Sequence, residues 1–276
     1  MFVVAGLITA DGALWENQRR FIHRHKFGLK FWGNIGEQME ARVNHEVLDC
    51  LNALAKDSEQ RLDPSPYLSC SISNVICSII MSTRFRHHEP RFRQFINFFD
   101  EGFKLFTLTG PMIFLPFLRH IPFMARTCDK LKSNRAELLD FVGEIVEEHR
   151  QSLDPKAPRD LVDCYLMEIE KTEQEGTTEE VFASKDPETQ LRQVLVDLFS
   201  AGFETVKTTL LWTFVHMLRN PEMKKKVQAE LEQVVGSNRL PTLEDMSRLH
   251  YTRACIYESM RRSTAVPMGT THSNIR

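Results

Sequence analysis

Asp197-Leu198-Phe199-Ser200-Ala201-Gly202-Phe203-Glu204-Thr205 lies inside a longer run, Glu188 to Asn220, whose apolar residues recur on most helical faces. Val194, Leu195, Leu198, Phe199, Phe203, Val206, Leu210, Leu211, Phe214 and Leu218 carry that pattern. At about 1.5 Å of rise per residue, one helix of this length spans roughly 50 Å. A helix apolar almost all round is buried in the middle of a protein, so the run predicts a central, buried helix. The same run holds Asp197, Gly202, Glu204, Thr205, Lys207, Thr208 and Thr209. Glycine inside a helix costs about 1 kcal/mol relative to alanine, and burying an unpaired carboxylate costs more. The two penalties together mark a candidate site. A kink with a carboxylate reaching solvent fits the spacing equally well.

Outward from this run the text stays helical. Leu14 to Leu29 reads as a basic helix, and Ile35 to Ala55 as an amphipathic one with Met39, Val43, Val47, Leu48, Leu51 and Leu54 on one side. A helix starts at Pro66 and runs through Val75, Ile76, Ile79 and Ile80. Phe92, Phe95, Phe98, Phe99, Phe103 and Phe106 form an aromatic stripe, Ala125 to Gln151 a long polar helix, and Arg159 to Lys171 a short helix with Asp160 as its N-cap. Glu173 to Pro187 reads as an acidic loop. Pro221 opens a helix that ends near Gly236, and Leu243 to Arg261 is a last helical stretch with a break near Arg248. Val266-Pro267 then turns the chain into an extended segment. Alternating apolar runs are nearly absent, so the predicted fold class is mainly α.

Of the 276 residues, 42% are hydrophobic and 26% charged, a balance that excludes a disordered tail or a disulfide miniprotein. Lys plus Arg number 35 and Asp plus Glu 37, giving a net charge of -2, so the chain is not a dedicated nucleic-acid binder. The local run Arg19-Arg20-Phe21-Ile22-His23-Arg24-His25-Lys26 is basic with interleaved aromatics. It suits an anionic cofactor, an acidic partner or a solvated face. The six cysteines form no C-x-x-C pair and sit in apolar helical text, which reads as reduced, buried thiols. No stretch suits a membrane span: Phe2 to Ala10 is too short, Pro64 to Thr83 is half polar, and Leu105 to Leu118 is broken by Gly110-Pro111 and Pro116. The loop Pro111 to Phe117 packs on the core or dips into a membrane surface, the former preferred. No nucleotide cradle or nucleophile elbow occurs, and after His45-Glu46 an Asp49 stands where a zinc protease needs histidine.

Several motifs then occur in a fixed order: Trp15-x-x-x-Arg19, Ala201-Gly202-Phe203-Glu204-Thr205, Pro221-Glu222 with Val227-Gln228-Ala229-Glu230-Leu231, and Glu258-x-x-Arg261. Each is weak alone. Together they resemble the cytochrome P-450 haem-thiolate monooxygenases along the whole chain, from that family's C helix through its K helix. Ser73-Asn74-Val75-Ile76-Cys77-Ser78, Arg159-Asp160-Leu161-Val162-Asp163 and Glu258-Ser259-Met260-Arg261-Arg262-Ser263 are similar to the arthropod branch, in particular the ecdysteroid 26-hydroxylases.

The resemblance implies a partial cytochrome P-450 domain over residues 1–276, with a central helix near 188–220 and the E-x-x-R helix near 243–262. The family's membrane anchor would precede it, and the cysteine loop that ligates iron would follow. None of the six cysteines fits that loop, so the thiolate ligand is expected outside this chain. The implied cofactor is haem b, with O2 and with electrons from NADPH through a reductase docked on a basic face. Trp15 and Arg19 would bind a propionate, as would His272; Ala201 and Gly202 would flank the haem. Glu204 and Thr205 would deliver protons during dioxygen activation. Ser200, Ala201, Val266 and Thr270 fall at substrate-contact positions, the Phe92–Phe106 stripe would roof the pocket, and Glu258 with Arg261 would form a buried structural pair. The implied activity is hydroxylation of a lipophilic, ecdysteroid-like steroid, with the parent enzyme on the cytosolic face of the endoplasmic reticulum membrane. The alternative is a non-enzymatic helical module that binds a partner through the basic helix 19–30.

Overall fold

Prolines and caps set the helix starts. In the computed structural model, which describes residues 6–24, 26–57, 62–86, 89–184, 186–267 and 269, α4 (Pro90–Thr109), α6 (Pro122–Gln151) and α10 (Pro221–Val234) all open on proline at the first helical position. There the missing N–H costs nothing and φ is already helical. α7 (Leu161–Glu175) opens as the sequence predicts, with the Asp160 carboxylate accepting from Asp163 N at 3.0 Å, and it closes on Gly176 at φ 69°. The remaining helices are α1 (Gly12–Arg24), α2 (Lys26–Lys56), α3 (Ser65–Ile80), α5 (Pro111–Phe114), α8 (Thr178–Phe182), α9 (Pro187–Arg219) and α11 (His250–Arg262). 3-10 turns occupy Pro116–His120 and Leu243–Ser247. No strand occurs among the described residues, in agreement with the mainly α reading.

The chain divides into two compact units, one from residues 1–35 and 77–200, the other from 36–76 and 201–276. The first has an aromatic core. Phe199 of α9 meets Phe95 and Phe99 of α4 at 4.6 and 4.5 Å between ring centroids, and Phe95 meets Phe141 of α6 at 5.3 Å. Each buried phenylalanine is worth about 1.5–3 kcal/mol, and each ring pair adds about 0.5–1.5 kcal/mol. The stripe is therefore split: Phe92, Phe95, Phe98 and Phe99 are core, whereas Phe103 and Phe106 are exposed. α8 lies inside the stretch expected to be a loop. It forms because Phe182, 1% exposed, packs against Tyr165 with ring centroids 5.0 Å apart.

In the second unit, polar residues do much of the joining. Asp245 accepts from Arg239 at 2.6 and 2.9 Å, from Arg248 at 2.5 Å and from Thr242 N at 2.9 Å, which stops the chain ahead of α11 and accounts for the predicted break near Arg248. Glu230 of α10 accepts from Tyr251 N and Thr252 N at 2.8 and 2.7 Å, capping α11 from outside.

Leu14 to Leu29 falls in α1 and α2, with His25 between them outside the described residues. Gly269 N donates to Val266 O at 3.1 Å, a turn at the place expected, and the chain from 270 on lies outside the described residues. One further expectation changes. The central helix is buried only up to Phe203; Val206, Trp212, Phe214 and Leu218 are 41–73% exposed. All six cysteines are free, five buried and Cys128 half-buried.

Candidate functional site

α1 has one buried and one open face. Gln18, Phe21 and Ile22 are buried; Tyr165 OH donates to Gln18 Oε1 at 2.8 Å, and Phe21 sits edge-on to Tyr165 at 4.8 Å. That fixes the helix rotation and leaves Trp15 and Arg19 exposed, with the guanidinium 5.1 Å from the indole centroid. No carboxylate among the described residues pairs with Arg19. A guanidinium stacked on an indole, its N–H edge uncommitted, is a donor set for a planar carboxylate, so these residues fit a haem propionate. When bound, haem supplies the iron centre at which dioxygen is reduced. His272 and Thr270 lie outside the described residues. In the basic stretch 19–30, Arg19, Arg20 and His23 are exposed, and the side chains beyond His23 are outside the description.

Ahead of α1 the chain is seated on α9. Leu7 N and Ile8 N donate to Asp197 Oδ2 at 2.7 and 2.9 Å, Gln193 Nε2 donates to Asp197 Oδ1 at 2.8 Å, and Gly6 N donates to Gln190 Oε1 at 3.0 Å. Asp197 thus does not reach solvent through a kink. Burial pushes its carboxyl above the usual carboxylate range, and the N–H groups of Ile8, Leu7 and Gln193 only partly offset that. Sequence reading flagged Asp197 as costly without finding its partners.

The second group lies in the other unit and is described separately. Thr205 Oγ1 donates to Ala201 O at 2.7 Å, Thr209 to Thr205 O at 2.8 Å and Thr213 to Thr209 O at 2.8 Å, a ladder of side-chain bonds along α9. The Thr205 oxygen keeps its lone pairs free to accept, so the hydroxyl can take a proton on one side and give one on the other. Glu204 is held by Lys207 at 2.5 Å and by Thr208 Oγ1 at 3.3 Å, and the Lys207 ammonium also lies 4.5 Å from the Phe203 ring centroid. The motif did not foreshadow Lys207. A Cβ on Gly202 would meet the Ile76 side chain, Cδ1 at 3.1 Å and Cγ1 at 3.5 Å. The obstacle is the far end of a flexible side chain, so packing alone does not demand glycine here.

Ala201 is exposed and Ser200 half-buried, with Ser200 Oγ donating to Asp197 O at 3.1 Å; Val266 is 46% exposed. Arg261 grips Glu258 through two bonds of 2.7 Å, as the i, i+3 spacing predicts. The pair is exposed, not buried as expected, because no described residue of its unit covers it. Arg261 holds the Glu258 carboxyl below its ordinary range.

Two other features bear on function. A cleft of about 560 Å³ between α4, α5 and the start of α6 is lined by Phe106, Met112, Pro116, Ala125, Cys128 and Leu131, with Arg119, His120 and Lys132 also bordering it. Its volume is in the range of small-molecule sites. His149, Asp160 and Asp163 bring ligand-type atoms within 4.8 Å of one another, but every donor is spent. His149 faces Ile145 O at 2.8 Å and Asp160 at 2.7 Å, and Arg159 holds both oxygens of Asp163 at 2.7 and 2.8 Å. Two acceptors on one ring require both nitrogens protonated, which leaves no lone pair for a metal.

The family model described as Cytochrome P450 matches residues 1–276. The chain is 47% identical over 273 residues to Cytochrome P450 18a1 of Drosophila melanogaster, covering 98% of this chain and 51% of that protein. It is 34% identical over 267 residues to Cytochrome P450 2B19 of Mus musculus (97% and 52%) and 34% over 271 residues to Cytochrome P450 2B4 of Oryctolagus cuniculus (97% and 53%). It spans about half the length of these relatives. An uncommitted Trp15–Arg19 donor pair, a helical glycine that packing does not require and a hydroxyl relay beside an acid agree with that match: the chain belongs to the cytochrome P450 family.

Proposed function

We propose that the whole protein is a haem-dependent monooxygenase that hydroxylates a lipophilic, steroid-like substrate of the ecdysteroid class, with electrons from NADPH through a reductase. The observation that carries this is the turn Ala201–Thr205, where a glycine, an acid and a threonine hydroxyl follow one another on a helix. Thr205 holds a proton at its Oγ1 against Ala201 O and can hand it on when a better acceptor arrives; Glu204, fixed by Lys207, refills it through water. Trp15 and Arg19 bind a propionate and so orient the cofactor; Glu258 and Arg261 tie together successive turns of α11. Ser200, Ala201 and Val266 are assigned to substrate, and Thr270 and His272 to substrate and propionate, on sequence alone. The apolar cleft beside Phe106 supports a lipophilic substrate.

No helix among the described residues is long and apolar enough to cross a membrane. The loop expected to pack on the core instead exposes Phe114 at 83% and Phe117 at 63%, followed by Phe123 at 63%. These side chains support association of this face with a membrane, and with it a place at the endoplasmic reticulum.

The test is to supply the complete protein with reductase, NADPH and a panel of ecdysteroids and non-steroid lipids. Steroid hydroxylation that requires both O2 and NADPH supports the reading, and turnover confined to non-steroid substrates overturns the substrate class.

A further inference from the structure

Asp197 is a buried carboxylate, 5% exposed, that no cation touches among the described residues. Arg135 of α6 directs its Nε and Nη2 to Gln193 Oε1, at 3.2 and 2.6 Å, and not to the carboxylate. The anion is spent on backbone N–H groups of the turn before α1. Gln190, Gln193 and Asp197 fall at i, i+3 and i+7, one face of α9, and together they seat that turn. Gly6 completes the fit: its φ is 76°, and a Cβ there would collide with Asp197 Oδ2 and lie 2.6 Å from Gln193 Cγ.

α1 starts at Gly12, just beyond this turn, and carries no acidic residue in its first turn to hold its own N-terminus. Gln18 and Tyr165 fix its rotation. The seat on α9 holds the chain at Gly6–Ile8, just ahead of its entry into α1.

We propose that Asp197 is a positioning residue for Trp15 and Arg19: by clasping the N–H groups of Leu7 and Ile8 it sets where α1 begins, and hence where its carboxylate-binding face stands. The proposal rests on the reading that Trp15 and Arg19 hold a haem propionate. The clasp is kept at a cost. Because burial outweighs the hydrogen bonds at Asp197, a neutral isostere relieves folding at neutral pH while weakening the seat. Groups retained against stability are expected where a site must be held in place.

The experiment compares Asp197→Asn, Gly6→Ala and Arg19→Ala in the complete, haem-loaded protein. Gly6→Ala pushes the turn off its seat while leaving the Asp197 carboxylate in the chain, so it reports even if Asp197→Asn folds poorly. Three readouts apply: haem transfer to excess apomyoglobin, hydrogen exchange in peptides covering 6–10, and Tm. The expected result is exchange at 6–10 and haem transfer both faster by about tenfold or more, the size of losing a hydrogen bond to a charged group, with Tm for Asp197→Asn equal or higher. Faster exchange without faster haem transfer, while Arg19→Ala does release haem, overturns the positioning role. A lowered Tm with exchange raised throughout the chain overturns it in favour of a purely structural one. If Arg19→Ala leaves haem transfer unchanged, the propionate reading fails and the proposal with it.

Discussion

Thr205 and Gly202 make opposite demands on a substitution. Removing the Thr205 hydroxyl takes away the proton held against Ala201 O. Thr205→Ala in the complete protein is therefore expected to keep its haem content and to lower product formed per NADPH, with hydrogen peroxide released instead and a rate loss of about a hundredfold. Gly202→Ala gains about 1 kcal/mol of helix propensity, and only the tip of Ile76 stands in the way. Its Tm is expected to hold or rise while turnover falls; a variant with full turnover would remove the functional reason for this glycine. At this scale the motif residues were legible because they repeat a known order. The clasp at Asp197 was not, since Leu7 and Ile8 lie 190 and 189 residues away and no local pattern points to them. The exposure of Glu258 and Arg261 was equally illegible: spacing predicts the bond but not what covers it.

The α6–α7 corner is a closed electrostatic unit whose stability has two pH limits. Burial pulls His149 down, but the hydrogen bond and charge of Asp160 outweigh it and leave its pKa raised. A raised folded-state pKa contributes stability that is complete below the unfolded value, about 6.5, and is lost as pH climbs through the folded value. Burial would raise Asp163, yet the Arg159 side chain and N–H bring it below its ordinary range. That contribution is present above about pH 3.9 and disappears as pH falls through the lowered value. Tm measured from pH 6 to 9 is thus expected to fall more steeply in the parent chain than in His149→Gln; parallel curves would deny the ion pair its role. Helix starts were legible from Pro221 and Asp160, which act locally. α8 was not, because Phe182 is anchored by Tyr165, a tertiary contact that composition cannot announce.

For the molecule as a whole, the exposed apolar residues are not spread evenly. Phe114, Leu115, Phe117, Ile121 and Phe123 cluster within ten residues, each 45% exposed or more. Phenylalanine moved from water to an apolar phase gains about 1.5–3 kcal/mol, so the double variant Phe114→Glu, Phe117→Glu is expected to lower partition onto phosphatidylcholine vesicles by more than tenfold in a sedimentation assay. Equal partition would place the membrane face elsewhere. The hydropathy pattern made the helical class of the described residues legible. It misjudged α9, because a helix apolar on most faces looks the same in sequence whether or not its second half is covered. That half also carries the threonine ladder, and the ladder has a mechanical consequence. The carbonyls of Ala201, Thr205 and Thr209 each serve a side-chain donor as well as the helix, which bends a helix and loosens its main-chain bonds. α9 is therefore softer beyond Thr205 than before it: amide exchange is expected to run faster across 205–213 than across 191–203, a compliant length of spring beside the turn we propose for proton delivery.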